Sequence, residues 1–261
     1  MKKDLLLHFL KIKNELKNKI EDLKQKNKIF LENYWNNFLP NKKEFDVVAI
    51  DGSYNYLKYR SLIFYVINIS SVTYQKKQIT KRSFPYFDVI ENFIFFEDFL
   101  RTEMLKRELK LASENMENFN IMLDGSLISF LNYVPEDIRK IFLEKVEITE
   151  NLVFSISKTP IKSFSETNSE GFSKIISEDK KYNIVSFYFK LRKNSLIFRV
   201  ETFKKFEERI EDIISLIRFF DFRGYPYLLK RAHEEAKISN KDMRNFVKLL
   251  GIREKTGREI L

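Results

Sequence analysis

The sequence predicts an α/β domain built on a mixed sheet and preceded by a long N-terminal helix. Three observations carry this. Apolar runs at 45–50, 119–123 and 152–157 are too short for helices and read as buried strands. Segments with helical apolar spacing lie before, between and after them, the pattern of strands covered by helices. Only six Gly and five Pro occur in 261 residues, so the elements are long and the loops tight.

The elements follow in order. Residues 4–37 read as one helix, with Leu5, Leu6, Phe9, Leu10, Ile12, Leu16, Ile20, Leu23, Ile29, Phe30 and Tyr34 at helical spacing between Lys and Glu. Pro40 and Asn41 close it, and residues 1–44 form an extension ahead of a single domain at 45–261. FDVVAI at 45–50 reads as a strand that runs into Asp51-Gly52-Ser53. Residues 61–75 are rich in β-branched and aromatic residues and read as one or two strands. A helix is predicted over 97–117. The strand FNIML at 119–123 then runs into Asp124-Gly125-Ser126. A helix over 136–146 follows Pro135. LVFSIS (152–157), NIVSFYFKL (183–191) and SLIFRVETF (195–203) read as strands, the last two as a hairpin turned at Lys193-Asn194. Helices are predicted over 206–219, 226–238 and 240–250. The Ser-, Thr-, Glu- and Lys-rich stretch 158–182 reads as a loop or insertion.

The charge is +10, with 47 Lys and Arg against 37 Asp and Glu. Such an excess attracts polyanions, nucleic acid first and an anionic membrane surface second. A merely solvated Lys surface would have the same composition. No Cys occurs, which excludes disulfides and thiolate metal sites and fits a cytoplasmic setting. The N-terminus carries a charge every few residues and is neither a signal peptide nor a membrane span. There is no Walker motif, dinucleotide fingerprint, zinc spacing or nucleophile elbow, so ATP-driven work would have to come from a partner.

The sharpest feature is the doubled strand–Asp-Gly-Ser pattern, VVAIDGS ending at Ser53 and NIMLDGS ending at Ser126. One Asp-Gly is a common turn dipeptide. Two, each ending an apolar strand, place Asp51 and Asp124 at strand ends, where open α/β sheets gather their active sites. The Gly permits a sharp turn and close ligand approach. Two neighbouring carboxylates can hold divalent ions that serve phosphodiester hydrolysis. A third carboxylate is sought on the helix 97–117. At about 100° per residue, Leu100, Met104, Leu105, Leu109, Leu111 and Ala112 define its apolar face. Glu108 falls within that face and Glu103 points away from it. A carboxylate aimed at a core requires a partner or a metal. Glu108 is therefore the expected third ligand, with Arg101 as a possible structural counter-ion. His8 reads as structural or surface. His233 lies on a helix opened by Pro226, where a lone His is more often structural than catalytic. Lys158 sits at a further strand end and could contact a phosphate, against a background of abundant surface Lys.

Taken together, VVAIDGSYNY, NIMLDGSL, SISK and GYPYLLKRAH, in this order from Phe45 to Ala236, resemble the NurA nuclease family of prokaryotic DNA end processing. The resemblance implies a ribonuclease-H-like core and a metal-dependent DNA nuclease domain using Mn2+ or Mg2+. It implies exonuclease action, expected 5′ to 3′, with single-strand endonuclease action beside it, and a homodimer working with a HerA-type hexameric ATPase. Carried onto this chain it points to Asp51, Glu108, Asp124, Tyr225 and His233 as catalytic. Asp51, Glu108, Asp124 and His233 would be metal ligands, and Lys158 and Tyr225 would contact DNA. The glutamate is the least secure transfer, since Glu103 also fits a loosely spaced motif. Two other readings compete: a nucleic-acid-binding module that kept the scaffold without catalysis, and a scaffold whose helices bind a motor.

Overall fold

The computed structural model of the chain describes residues 3–59, 61–158 and 169–251. The elements run α1 (Lys3–Tyr34), β1 (Trp35–Asn36), β2 (Val47–Tyr59), β3 (Leu62–Gln75), β4 (Gln78–Glu91), α2 (Phe96–Asn115), β5 (Asn120–Asp124), α3 (Leu127–Tyr133) and α4 (Glu136–Ile148). Then come β6 (Val153–Ser157), β7 (Gly171–Ser173), β8 (Ser177–Asp179), β9 (Ile184–Lys190), β10 (Phe198–Phe203), α5 (Ile210–Phe219), β11 (Asp221–Phe222), β12 (Tyr225–Pro226), α6 (Tyr227–Ala236) and α7 (Asn240–Leu249).

The long strands form one mixed sheet in the order β1-β7-β9-β10-β6-β5-β2-β3-β4, with β8 beside β9. β2, β3 and β4 are antiparallel neighbours, while β2–β5 and β5–β6 are parallel. This is the expected mixed sheet flanked by helices. Its centre is apolar on both faces: Val47 to Ile50, Ile121 to Leu123 and Val153 to Phe154 are fully buried. α2 packs on β2 and β3 through Leu100, Leu105, Leu109 and Ala112, and α6 also packs on β2 and β3.

Several elements differ from their sequence reading. The N-terminal helix ends at Tyr34 rather than 37, because Trp35 and Asn36 pair with Ser173 and Phe172. The region 61–75 is one strand, and its partner β4 was unread. The reason is the connecting turn, Lys76-Lys77, which takes positive φ (49° and 63°) without the Gly or Asn that usually marks such a hairpin. The short α3 was also unread; Ser126 caps it, accepting the Ser129 N–H. The predicted β9–β10 hairpin is present. Within 158–182, residues 159–168 lie outside the described residues, and β7 and β8 both pair with β9.

α1 keeps Leu5, Phe9, Leu10, Ile20 and Leu23 exposed. The side chain of His8 lies outside the described residues. Among the described residues no helix is long and apolar enough to cross a membrane.

Candidate metal centre

The parallel register of β2 and β5 builds the first half of the site. Val47 to Ile50 lie opposite Asn120 to Leu123, so the next residues along, Asp51 and Asp124, fall side by side where the two strands part. β5 ends at Asp124, and Gly125 turns the chain with φ 126°. β2 does not end. It runs through Asp51-Gly52-Ser53 to Tyr59, paired with β3 throughout, so the expected turn after Asp51 is absent. The two Asp-Gly-Ser segments share a register and differ in backbone.

Side-chain alternation along β2 then assigns partners. Asp51 and Ser53 point to the α6 side of the sheet, as do their register partners on β3, Ser70 and Asn68. Ser53 Oγ donates to the Ala236 carbonyl (2.5 Å), Ser70 Oγ to that of Ala232 (2.6 Å), and Asn68 Nδ2 to those of Glu235 and Ala236 (3.0 and 3.2 Å). The bonds to Glu235 and Ala236 satisfy carbonyls in the last turn of α6 that lack an intrahelical partner, and the bond to Ala232 adds a side-chain donor one turn earlier. They also dock the helix in one position, which places His233 Nδ1 2.8 Å from Asp51 Oδ2. Sequence reasoning missed Ser53, Asn68 and Ser70. For Asn68 and Ser70 the signal was present as polar residues inside a mostly apolar strand.

Gly52 points the other way, to α2. A Cβ there would lie 2.6 Å from Glu108 Oε1, 2.8 Å from Ile69 Cδ1 and 2.9 Å from Met104 Cγ. The glycine is therefore a close-approach position that lets the Glu108 carboxylate reach the strand beside Asp51. Gly52→Ala is expected to destabilise the fold by about 1–3 kcal/mol through overpacking and to displace Glu108. Chemical denaturation checks the first effect and metal affinity the second; unchanged values for both would remove this role.

The phase read from the helix is correct. Glu108 is 2% exposed, whereas the Glu103 side chain is 21% exposed and ion-paired to Lys106 (2.6 Å) and Arg107 (3.9 Å). The suggested counter-ion role of Arg101 does not hold: its guanidinium lies over the Tyr133 ring, 4.2 Å from the centroid. Glu108 Oε2 is buried and has no hydrogen-bond partner among the described residues.

The remaining expected residues converge on Asp124. Tyr225 donates its hydroxyl to Asp124 Oδ2 at 3.4 Å, a long contact, and Lys158 Nζ lies 3.8 Å from the same oxygen and 4.9 Å from the Tyr225 ring centroid. Burial, then the charge of Asp124, raises the Asp51 carboxyl to about 6, against a smaller opposing pull from His233. Burial raises Asp124 too, with Lys158 and His233 opposing. Glu108 is pushed well above the usual carboxylate range by burial, then by Asp51 and Asp124. Burial also pushes the Tyr225 phenol far up, so it keeps its proton near neutral pH.

A model of the NurA domain matches residues 45–163 and 149–238. The chain belongs to the NurA family. Among curated NurA relatives, the probable DNA double-strand break repair nuclease NurA of Methanocaldococcus jannaschii is 24% identical, over 98% of this chain and 92% of its own. The crystal structure of the NurA nuclease from Sulfolobus solfataricus superposes with a TM-score of 0.76 at 21% identity, covering 96% of this chain and 97% of that one. A crystal structure of NurA bound to dAMP and manganese gives 0.69 at 13% identity, covering 95% and 97%.

The donor set of this NurA chain fits a divalent cation on its own chemistry. One ligand atom each from Asp51, Asp124 and His233 lie within 4.8 Å of one another. The charge of Asp124 raises the proton affinity of Asp51, the charges of both raise that of Glu108, and the unpartnered Glu108 Oε2 leaves a buried acceptor. Buried charge of one sign with free oxygen donors is the arrangement hard cations stabilise.

Proposed function

We propose that this chain is a divalent-metal-dependent DNA nuclease that hydrolyses phosphodiester bonds at DNA ends. The observation that carries the reading is the convergence of Asp51, Asp124 and His233, with Glu108 reaching the same strand through the gap at Gly52. Asp51, Asp124, Glu108 and His233 would hold the cation, which when bound supplies charge stabilisation at the phosphate and acidifies water. His233 is 56% exposed while contacting Asp51, so it stands at the rim of the site. Lys158, 49% exposed, offers a positive charge to the phosphate. Tyr225 holds Asp124 by hydrogen bonding and is too weak an acid to serve as the base.

The family and the manganese-bound relative support Mn2+ as the working ion, with Mg2+ as the alternative. Exonuclease action in the 5′-to-3′ direction, with single-strand endonuclease action, is part of the same reading. The test is digestion of end-labelled DNA by the wild-type chain with manganese, with magnesium and with chelator. Binding without metal-stimulated cleavage would favour the non-catalytic module.

The pH dependence has a definite sign. Asp51 has a folded-state pKa of about 6, above its ordinary 3.8, so the metal-free fold gains from its protonation at low pH and loses that gain as pH rises toward 6. A cation must displace that proton. Cleavage at limiting manganese is therefore expected to fall as pH drops through about 6, and metal-free stability to rise over the same interval. A flat rate profile between pH 5 and 8, an interval spanning that value, would count against Asp51 as a ligand.

A homodimer docked on a HerA-type hexameric ATPase completes the proposal. Its support here is α1, whose apolar residues, Leu5 at 62% and Ile20 at 53% exposure among them, need a covering surface. Light scattering checks the dimer: a species of 31.5 kDa would reject it.

A further inference from the structure

Next to Tyr225 lies a small two-stranded unit that the metal chemistry does not use. β11 and β12 pair with Phe222 directly opposite Tyr225. Residues opposed across an antiparallel pair project to the same face. Phe222 therefore shares a face with the residue whose hydroxyl meets Asp124. The turn between them, Arg223-Gly224, has φ of 56° and 85°, the doubly left-handed pattern of the tightest hairpins.

This hairpin is held rigidly. Asp221 Oδ1 accepts the Gly224 N–H at 2.7 Å, and its Oδ2 accepts Arg192 Nε at 2.7 Å. Gly224 abuts Ser195 so closely that any side chain at 224 would collide with it. On this base Phe222 is 40% exposed, packed on one side against Tyr227 with centroids 5.9 Å apart. Two cations lie over its ring: Lys230 Nζ at 4.6 Å and Arg223 Cζ at 5.4 Å from the centroid.

An exposed Phe by itself means little. A pre-positioned one with two cations at its ring, beside a nuclease centre, combines what single-stranded nucleic acid requires: a flat apolar face for a base and positive charge for the adjoining phosphates. We propose that Phe222 is a nucleobase-stacking platform for single-stranded DNA, with Arg223 and Lys230 neutralising the phosphates on either side. The platform sets where the strand lies relative to Asp51 and Asp124, so it is a positioning residue. This inference rests on the DNA nuclease reading above.

The test uses the full chain without metal, so that no strand is cut, and single strands of about twelve nucleotides, within the usual site size. 2-Aminopurine is placed at each position in turn. Wild type is expected to quench one or two adjacent positions; Phe222→Ala loses that quenching and Phe222→Trp retains it. Affinity for the intact strand falls roughly five- to a hundredfold in Phe222→Ala. Replacing the quenched nucleotide with an abasic site removes the difference between wild type and Phe222→Ala, which a purely structural role would not do. A flat 2-aminopurine scan on wild type overturns the proposal whatever the variants do. So does equal binding and quenching by wild type and Phe222→Ala. If wild type digests DNA with manganese while those results hold, the platform fails and the nuclease reading stands. Absence of metal-dependent digestion by wild type overturns the nuclease reading, and with it the platform's role in positioning DNA for cleavage.

Discussion

Asp51→Ala and Asp124→Ala are each expected to lower manganese-dependent cleavage by roughly a thousandfold or more, since a metal supplies several kcal/mol of charge stabilisation at about 1.4 kcal/mol per tenfold in rate. The same substitutions should leave the metal-free protein no less stable than wild type at pH 8. The reason lies in the site's electrostatics. Burial raises the proton affinity of Asp51, of Asp124 and of Glu108, and neighbouring negative charge adds to the rise at Asp51 and Glu108. Each charged form is therefore less comfortable in the folded chain than in water; deleting Asp124 also relieves Asp51 and Glu108, and deleting Asp51 relieves Glu108. Loss of activity with an unchanged or higher melting temperature is the signature of a residue kept for function at a cost to stability. The measurements are digestion of end-labelled DNA and thermal melting in chelator. Wild-type digestion by either variant would remove that residue from the centre. A lower melting temperature would show that its role is structural.

Glu108→Gln should reduce activity by about a hundredfold, again by the loss of charge at the metal, while Glu103→Gln should change it less than twofold. Both replacements keep the side chain's shape. They differ in surroundings. Glu108 is 2% exposed, its Oε1 crowds Gly52, and its Oε2 has no hydrogen-bond partner among the described residues. Glu103 sits in partly exposed pairs with Lys106 and Arg107, and pairs that solvent reaches are worth little, about 0–1 kcal/mol. Metal titration by calorimetry should follow the same order. Equal small effects would mean that Glu108 is merely a buried acid; a reversed order would mean that α2 presents another face in solution.

How much of this site was legible beforehand depends on how local each constraint is. Asp51 and Asp124 announce themselves because each follows an apolar run, and that pattern needs only a few consecutive residues. Glu108 was legible for a related reason: helical phase is a local property, and one acid on an apolar face stands out over a few turns. Tyr225 and His233 were singled out by resemblance, not by physics. Nothing within the segment RGYPYLLKRAHEEA shows that its imidazole meets a carboxylate 182 residues earlier.

The sequence by itself determined the strand-forming core, the two carboxylates that each follow an apolar strand run, and the face of α2 that carries Glu108. Those follow from periodicity and burial, which act along a single segment. Only the tertiary structure decided that β2 runs on through Asp51 while β5 stops at Asp124, because pairing with β3 over the whole of β2 outweighs the turn tendency of Asp-Gly. It decided that Gly52 serves close approach rather than turning, since that requirement comes from Glu108, Met104 and Ile69 on other elements. And it decided where His233 stands, because Ser53, Asn68 and Ser70 hold the end of α6 through hydrogen bonds spanning more than 160 residues of chain. Contacts of that range depend on how whole elements pack, and a strand's own pattern of residues carries no record of which helix will lie across it.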